Sequence, residues 1–211
     1  MKNENITEED PREVRKRLQR KKLVAWVVRH CVTDGKRENY FKELRKHVQA
    51  DKYSKCRGGN KKCPLENCLE TIASEYKFYF AAENSICKGY ITEKLFENAL
   101  KVGMVPIVYG GANYSQILPP HSFIDVKDFA SPKDLATYLN KLANDDDLYN
   151  EYFAWRKKFQ VVSGISDCNI CKFLHRKSKV PKVYNDLTKF WTAKDCISGH
   201  DFLNSVLEDN T

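Results

Sequence analysis

The sequence predicts an α/β protein built on an open parallel sheet, and three observations carry that reading. Short apolar runs rich in β-branched and aromatic residues recur along the chain. Each run ends in a loop of turn-forming residues, and most of these loops open into a stretch of helical periodicity. Strands alternating with helices over about 120 residues pair in parallel through right-handed crossovers, a Rossmann-like layer structure.

Residues 23–28 are apolar throughout, the pattern of a strand buried on both faces. Thr33, Asp34 and Gly35 then turn the chain into 37–48, where Tyr40, Phe41, Leu44 and Val48 mark one helical face. Residues 56–68, with Gly58, Gly59 and Pro64, are irregular, and the close cysteines predict a locally stapled loop. Residues 76–82 form the second strand and 83–89 a loop. Residues 92–102 form a helix with Leu95, Phe96, Ala99 and Leu100 inward, ended by Gly103. Residues 105–109, closed by Gly110 and Gly111, give a third strand and 122–126 a short fourth. Ser131, Pro132 and Asp134 supply an N-cap, a first-turn proline and an acidic third position for a helix through Leu135, Leu139 and Leu142. An aromatic-rich helix over 145–159 follows. The chain thus divides into a basic linker or helix at 1–22, a sheet domain at 23–162 and a cysteine-containing arm at 163–211, whose last residues, 203–211, are expected to form a loose end.

A chain of 211 residues can bury one good core. Its 42% hydrophobic and 30% charged content belongs to an ordinary soluble globule. The longest apolar runs, 23–28 and 104–109, fall far short of the roughly 18 residues a membrane span needs. Lys2, Glu4, Glu8, Glu9 and Asp10 leave no apolar leader at the N-terminus, so any targeting signal is expected upstream. A formal charge of +8 favours an anionic partner, whether nucleic acid, a phosphorylated small molecule or an acidic membrane face. No base-reading motif accompanies it, so nucleic acid is not expected. The basic run Arg12, Arg15, Lys16, Arg17, Arg20, Lys21 and Lys22 has the spacing of a solvated helix face. Eight cysteines and the sequons at Asn5 and Asn113 suit an oxidising, secretory compartment. Cys168 and Cys171 have zinc-type spacing without a second ligand pair, so disulfides rather than a metal are expected.

Ligands of such sheets bind outside the carboxyl ends of the strands, which singles out the loops at 30–37, 83–93 and 110–114. The second is the richest: Asn84 and Ser85 precede Tyr90, Ile91, Thr92, Glu93 and Lys94 at a helix start. A helix N-terminus welcomes phosphate, and Lys94 with Arg37 adds the cations that a departing diphosphate needs. Glu93 is suited to accept hydrogen bonds from sugar hydroxyls. The same residues also read as ordinary structure, with Thr92 and Glu93 as helix-start chemistry, Lys94 solvated and Arg37 a surface partner of Glu38 or Glu43. Spacing alone leaves both readings open, and no GxGxxG or GxxxxGKS motif occurs.

Residues 76–94, read as Tyr-Lys-Phe-Tyr-Phe-Ala-Ala-Glu-Asn-Ser-Ile-Cys-Lys-Gly-Tyr-Ile-Thr-Glu-Lys, resemble the motif of the α1,3-fucosyltransferases, glycosyltransferase family 10. The likeness continues through Asn98-Ala99, 103–108, Asn113-Tyr114, Pro119-Pro120, 122–124, 128–132 and 152–156, and upstream through 24–28 with Arg37. The resemblance implies the C-terminal, donor-binding domain of a GT-B glycosyltransferase. It implies inverting transfer of L-fucose from GDP-β-L-fucose to N-acetylglucosamine of a glycoprotein glycan, without a cofactor or catalytic metal. Arg37 and Lys94 would hold the diphosphate, Glu93 would bind the donor, and Asn84 and Tyr90 would complete the pocket. The family's general base lies in an N-terminal acceptor domain outside this sequence, so the alternative expectation is a catalytically silent GDP-sugar-binding module. Family members are type II proteins of the Golgi lumen, which implies membrane attachment only through an anchor outside this chain. Departures from the motif are Arg29-His30 for its SN, Ala82-Glu83-Asn84 for its FEN and Gly89-Tyr90 for its DY. The family also ties C-terminal cysteines to the acceptor domain, which would leave Cys168 and Cys171 unpaired or joined to each other. Cys31 and Cys87, on adjacent predicted loops, are expected to pair.

Overall fold

A computed structural model describes residues 9–56, 59, 61, 67–162, 167–175, 183, 185–187 and 195–207. The chain opens with α1 (Pro11–Leu18), followed by β1 (Lys22–Val27), α2 (Arg37–Leu44), β2 (Ala50–Tyr53), α3 (Cys68–Glu75), β3 (Tyr76–Ala82) and β4 (Ile86–Cys87). One α-helical turn, α4 (Glu93–Leu95), widens into a π-helical stretch at Phe96–Lys101 before β5 (Val105–Tyr109) and β6 (Ile124–Asp125). Helices α5 (Pro132–Ala143), α6 (Asp146–Glu151) and α7 (Asp167–Leu174), strand β7 (Cys196–Ile197) and helix α8 (Gly199–Leu207) complete the described elements.

Five parallel strands form the main sheet in the order β2-β1-β3-β5-β6. Alternate side chains of β1 and β3 feed two cores, which is why β1 from Leu23 and β3 from Phe78 read as unbroken apolar runs. Val24, Trp26, Phe78 and Phe80 pack on one face with Phe41 and Leu44 of α2, Leu139 of α5 and Phe202 of α8. Ala25, Tyr79 and Ala81 face Ile72 and Ala73 of α3, Ala99 and Met104. The four predicted strands are present, and β2 is an addition, because Asp51 and Lys52 disguise it. Both are buried: Asp51 accepts from the Tyr76 hydroxyl at 2.5 Å, and the Lys52 ammonium lies over the Trp26 ring.

Two helices differ from their expected form. The stretch at 92–102 is α-helical for one turn only, and 145–159 is divided into α6 and a 3₁₀ turn at Ala154–Lys157. Residues 203–207, expected to be loose, are helical, with Leu203 and Val206 buried against the sheet's helical layer; 208–211 lie outside the described residues. The basic run is only partly a solvated face. Arg12, Arg15 and Lys16 are exposed, whereas Arg17 is buried between Glu9, Asn150 and the Phe153 ring, and Arg20 caps the Gly103 carbonyl at 2.5 Å.

The expected Cys31 to Cys87 bridge is replaced by two others. Cys31 bonds to Cys56 and Cys87 to Cys196. The loop after β1 borders β2 on one side and β3 on the other, so Cys31 has a partner available at the end of β2. Cys68 is also disulfide-bonded, and Cys171 carries an exposed free thiol, the unpaired one of its two expected states. Among the described residues no helix is long and apolar enough to cross a membrane.

The N-cap of α5 stands as expected: Ser131 Oγ accepts from the Asp134 amide at 3.2 Å and donates to the Asp134 carboxylate at 2.8 Å. Ser131→Ala is expected to lower the unfolding free energy by about 1 kcal/mol, measured as a shift in urea midpoint at constant slope.

Candidate functional site

The strand order reverses direction between β1 and β3: β2 lies outside β1, while β5 and β6 continue beyond β3. Open α/β sheets bind ligands at such a switch point, where diverging crossovers leave a crevice above the carboxyl ends. A cleft of about 730 Å³ lies there. Val27, Val28, Arg29 and His30 line it from the end of β1, Asn84 and Tyr90 from the loop after β3, and Asn67 to Glu70 from the start of α3. Arg37, Thr92, Glu93, Lys94 and Asn98 complete the wall. All five residues singled out in the sequence, Arg37, Asn84, Tyr90, Glu93 and Lys94, therefore share one cleft.

Arg37 is the first residue of α2 and only 2% exposed, not the surface partner of Glu38 or Glu43 that spacing allowed. Its guanidinium donates to the Ala82 carbonyl at 2.6 Å and to the His30 carbonyl at 3.4 Å, so the ends of β1 and β3 both hold it. The Nε is buried without a hydrogen-bond partner, and no carboxylate of the described residues lies in ion-pair contact. Desolvation pulls its pKa below the ordinary arginine value, but a guanidinium remains charged. Glu38 and Glu83 favour the charge from nearby without pairing with it, and an anion in the cleft would offset the remaining cost of burial.

Lys94 is 14% exposed and held by two partners. Its ammonium donates to Glu83 Oε2 at 3.0 Å and to Thr92 Oγ1 at 2.7 Å, while Glu93 Oε1 stands 3.7 Å away. Glu93 itself is 62% exposed, placed to reach a ligand over the cleft rather than to neutralise it. The backbone amide of Thr92 is already taken by Glu83 Oε1 at 2.8 Å, and α4 has three residues. The expected helix-terminus contribution is reduced because the Glu83 carboxylate already occupies this amide, and side chains carry the positive charge. The loops are joined by the Gly35 amide donating to the Asn84 carbonyl at 2.7 Å, a close approach where a Cβ on Gly35 would come within 3.0 Å of that oxygen. Asn84 Oδ1 has no hydrogen-bond partner.

Sequence reasoning missed Glu83 as a site residue, along with Asn98 and the wall at 67–70. No periodicity marks a carboxylate at the end of a buried strand. Among the described residues no group of three or more His, Cys, Asp or Glu side chains is arranged to hold a metal.

A sequence profile of glycosyltransferase family 10 (fucosyltransferase), C-terminal part, matches residues 17–191. The chain belongs to this family. Its family 10 relatives include the glycoprotein 3-alpha-L-fucosyltransferase A of Drosophila melanogaster, 42% identical over 177 residues that make up 81% of this chain and 35% of that protein. The alpha-(1,3)-fucosyltransferase C of the same organism is 40% identical over 174 residues, 81% of this chain and 40% of the relative. A 3-galactosyl-N-acetylglucosaminide 4-alpha-L-fucosyltransferase of Homo sapiens is 42% identical over 166 residues, 76% and 45% of the two chains. The family 10 chain described here thus spans less than half the length of these curated relatives. In fold it matches the crystal structure of an alpha1,3-fucosyltransferase with GDP-fucose, with a TM-score of 0.57 at 19% identity, over 92% of this chain and 49% of that one. The parallel α/β sheet is that of the fucosyltransferase structures, of GT-B type.

Proposed function

We propose that this chain binds GDP-β-L-fucose as the donor domain of an inverting α1,3-fucosyltransferase that acts on N-acetylglucosamine of glycoprotein glycans. The observation that carries the proposal is the buried Arg37, with no carboxylate of the described residues in ion-pair contact, lining one cleft with Lys94 at the switch point. Two fixed cations suit a diphosphate, and departure of GDP concentrates negative charge on the oxygens they would hold. Because these donors are already oriented by Ala82, His30, Glu83 and Thr92, little reorganisation accompanies bond breaking. Glu93 is free to accept hydrogen bonds from the sugar or ribose, and Asn84 and Tyr90 complete the pocket. The two side-chain cations supply the charge stabilisation that a metal supplies elsewhere, so transfer is proposed to need no metal. The acceptor hydroxyl must still lose a proton, and the base for that step is assigned to an acceptor-binding half outside this chain.

A lumenal Golgi location belongs to the same proposal. The bridges Cys31–Cys56 and Cys87–Cys196 support an oxidising compartment, since such bonds persist there and are rare in the cytosol.

Isothermal titration of the chain with GDP is expected to show saturable binding, unaffected by chelator. Absence of both heat and a thermal shift at millimolar GDP would overturn the donor-site reading. Incubation with GDP-fucose and an N-acetylglucosamine-terminated acceptor is expected to give no product from this chain alone. Turnover by this chain would place the base within it.

A further inference from the structure

Glu83 is the most enclosed carboxylate beside the cleft, 1% exposed. We propose that it is the positioning residue of the site, aiming the Lys94 ammonium at the terminal phosphate of the nucleotide. This inference rests on the donor-site reading and names the group that sets its geometry.

Glu83 follows directly on β3, and its amide donates to the Tyr109 carbonyl at 2.9 Å, so its backbone continues the β3–β5 ladder. Its carboxylate accepts from the Thr92 amide at 2.8 Å, the Thr92 hydroxyl at 2.9 Å and the Lys94 ammonium at 3.0 Å. A buried carboxylate with this many donors is satisfied, and it needs no other cation. Lys94, by contrast, sits in the first turn of its helix and has a long, flexible side chain with much rotamer freedom to lose. Glu83 and Thr92 Oγ1 take two of its three ammonium donors. Glu93 lies at 3.7 Å, beyond hydrogen-bonding distance, which leaves the third donor for a ligand. The carboxylate thus passes the rigidity of the sheet to a lysine side chain that its helix backbone alone does not fix.

The test compares GDP with GMP, which lacks the second phosphate, by titration calorimetry on the whole chain. Losing one charge-assisted hydrogen bond to a lysine is worth roughly a tenfold change in affinity. Glu83→Gln, which keeps the shape and one acceptor, is therefore expected to weaken GDP binding about tenfold and GMP binding less than about twofold. In a Lys94→Ala background the same change is expected to add no further loss for GDP, since the residue acts through Lys94. Equal losses for GDP and GMP, or losses that multiply in the double variant, would show a loop-holding role only and overturn the proposal. So would wild-type GDP affinity in Glu83→Gln. Should removal of this buried charge prevent folding, Thr92→Val decides instead: it keeps the ion pair, removes the shared hydroxyl and is expected to lower GDP affinity about threefold with GMP unchanged. Wild-type failure to bind GDP would remove the donor-site reading itself, and this inference with it.

Discussion

Arg37→Ala is expected to weaken GDP binding by roughly a hundredfold or more, the largest functional effect of any single change in the cleft. Two of the five guanidinium donors are spent on the Ala82 and His30 carbonyls, which fix its plane between the ends of β1 and β3. Nε–H is buried without a protein acceptor, and the terminal nitrogens keep donors for a phosphate in the cleft that Arg37 lines. Loss of two charge-assisted hydrogen bonds at about 1.5–3 kcal/mol each accounts for the expected size. Arg37→Lys should recover little of it, because a compact ammonium lacks the planar fork that spans both carbonyls and still presents a pair of donors to the ligand. Titration with GDP, alongside a urea melt to verify folding, checks the result. A tenfold effect or less, or full rescue by lysine, would mean that the guanidinium only braces the strand ends.

How far the sequence could be read follows from what each residue type signals. β1, β3 and β5 were legible because each is mainly apolar on both faces, and the cleft was legible because loops at the carboxyl ends of β1 and β3 carried Arg37, Asn84, Tyr90, Glu93 and Lys94. β2 was not, since a four-residue strand containing Asp51 and Lys52 looks polar until Tyr76 and Trp26 are brought against it. The mistaken Cys31–Cys87 pairing descends from that same gap. Without β2, the loop after β1 had one visible neighbour instead of two, and Cys56 was lost from view. The helix at 92–102 was recognised but not its form, because Leu95, Phe96, Ala99 and Leu100 face inward under either winding. Glu83 escaped because its role depends on Thr92 and Lys94, nine and eleven residues away, arriving around one carboxylate. Contacts across a loop leave no periodic trace.

The largest effect on stability is expected from Phe202→Ala, a residue in a helix that residue patterning left out of the core. Phe202 packs edge-on against Tyr109 with ring centroids 4.8 Å apart and is buried together with Leu203 and Val206. The approach is close enough that a Cβ on Gly199, at the start of α8, would overlap the Asp34 carbonyl oxygen. Cys196 ties this segment to the loop after β3, and Ile86 pairs with Ile197 beside it. The Lys88 amide adds a bond to the Asp195 carbonyl at 2.6 Å. A cavity opened here cannot collapse readily, since the disulfide and this pairing hold α8 in place, so the loss should fall at about 3–5 kcal/mol of unfolding free energy. Arg37 is fixed by Ala82 and His30 and not by Phe202. The GDP-induced rise in melting temperature is therefore expected to persist in Phe202→Ala at nearly the wild-type increment. A loss under about 1 kcal/mol would show that α8 only rests on the sheet. Disappearance of the ligand-induced shift would show instead that the helix holds the donor loops in their binding geometry.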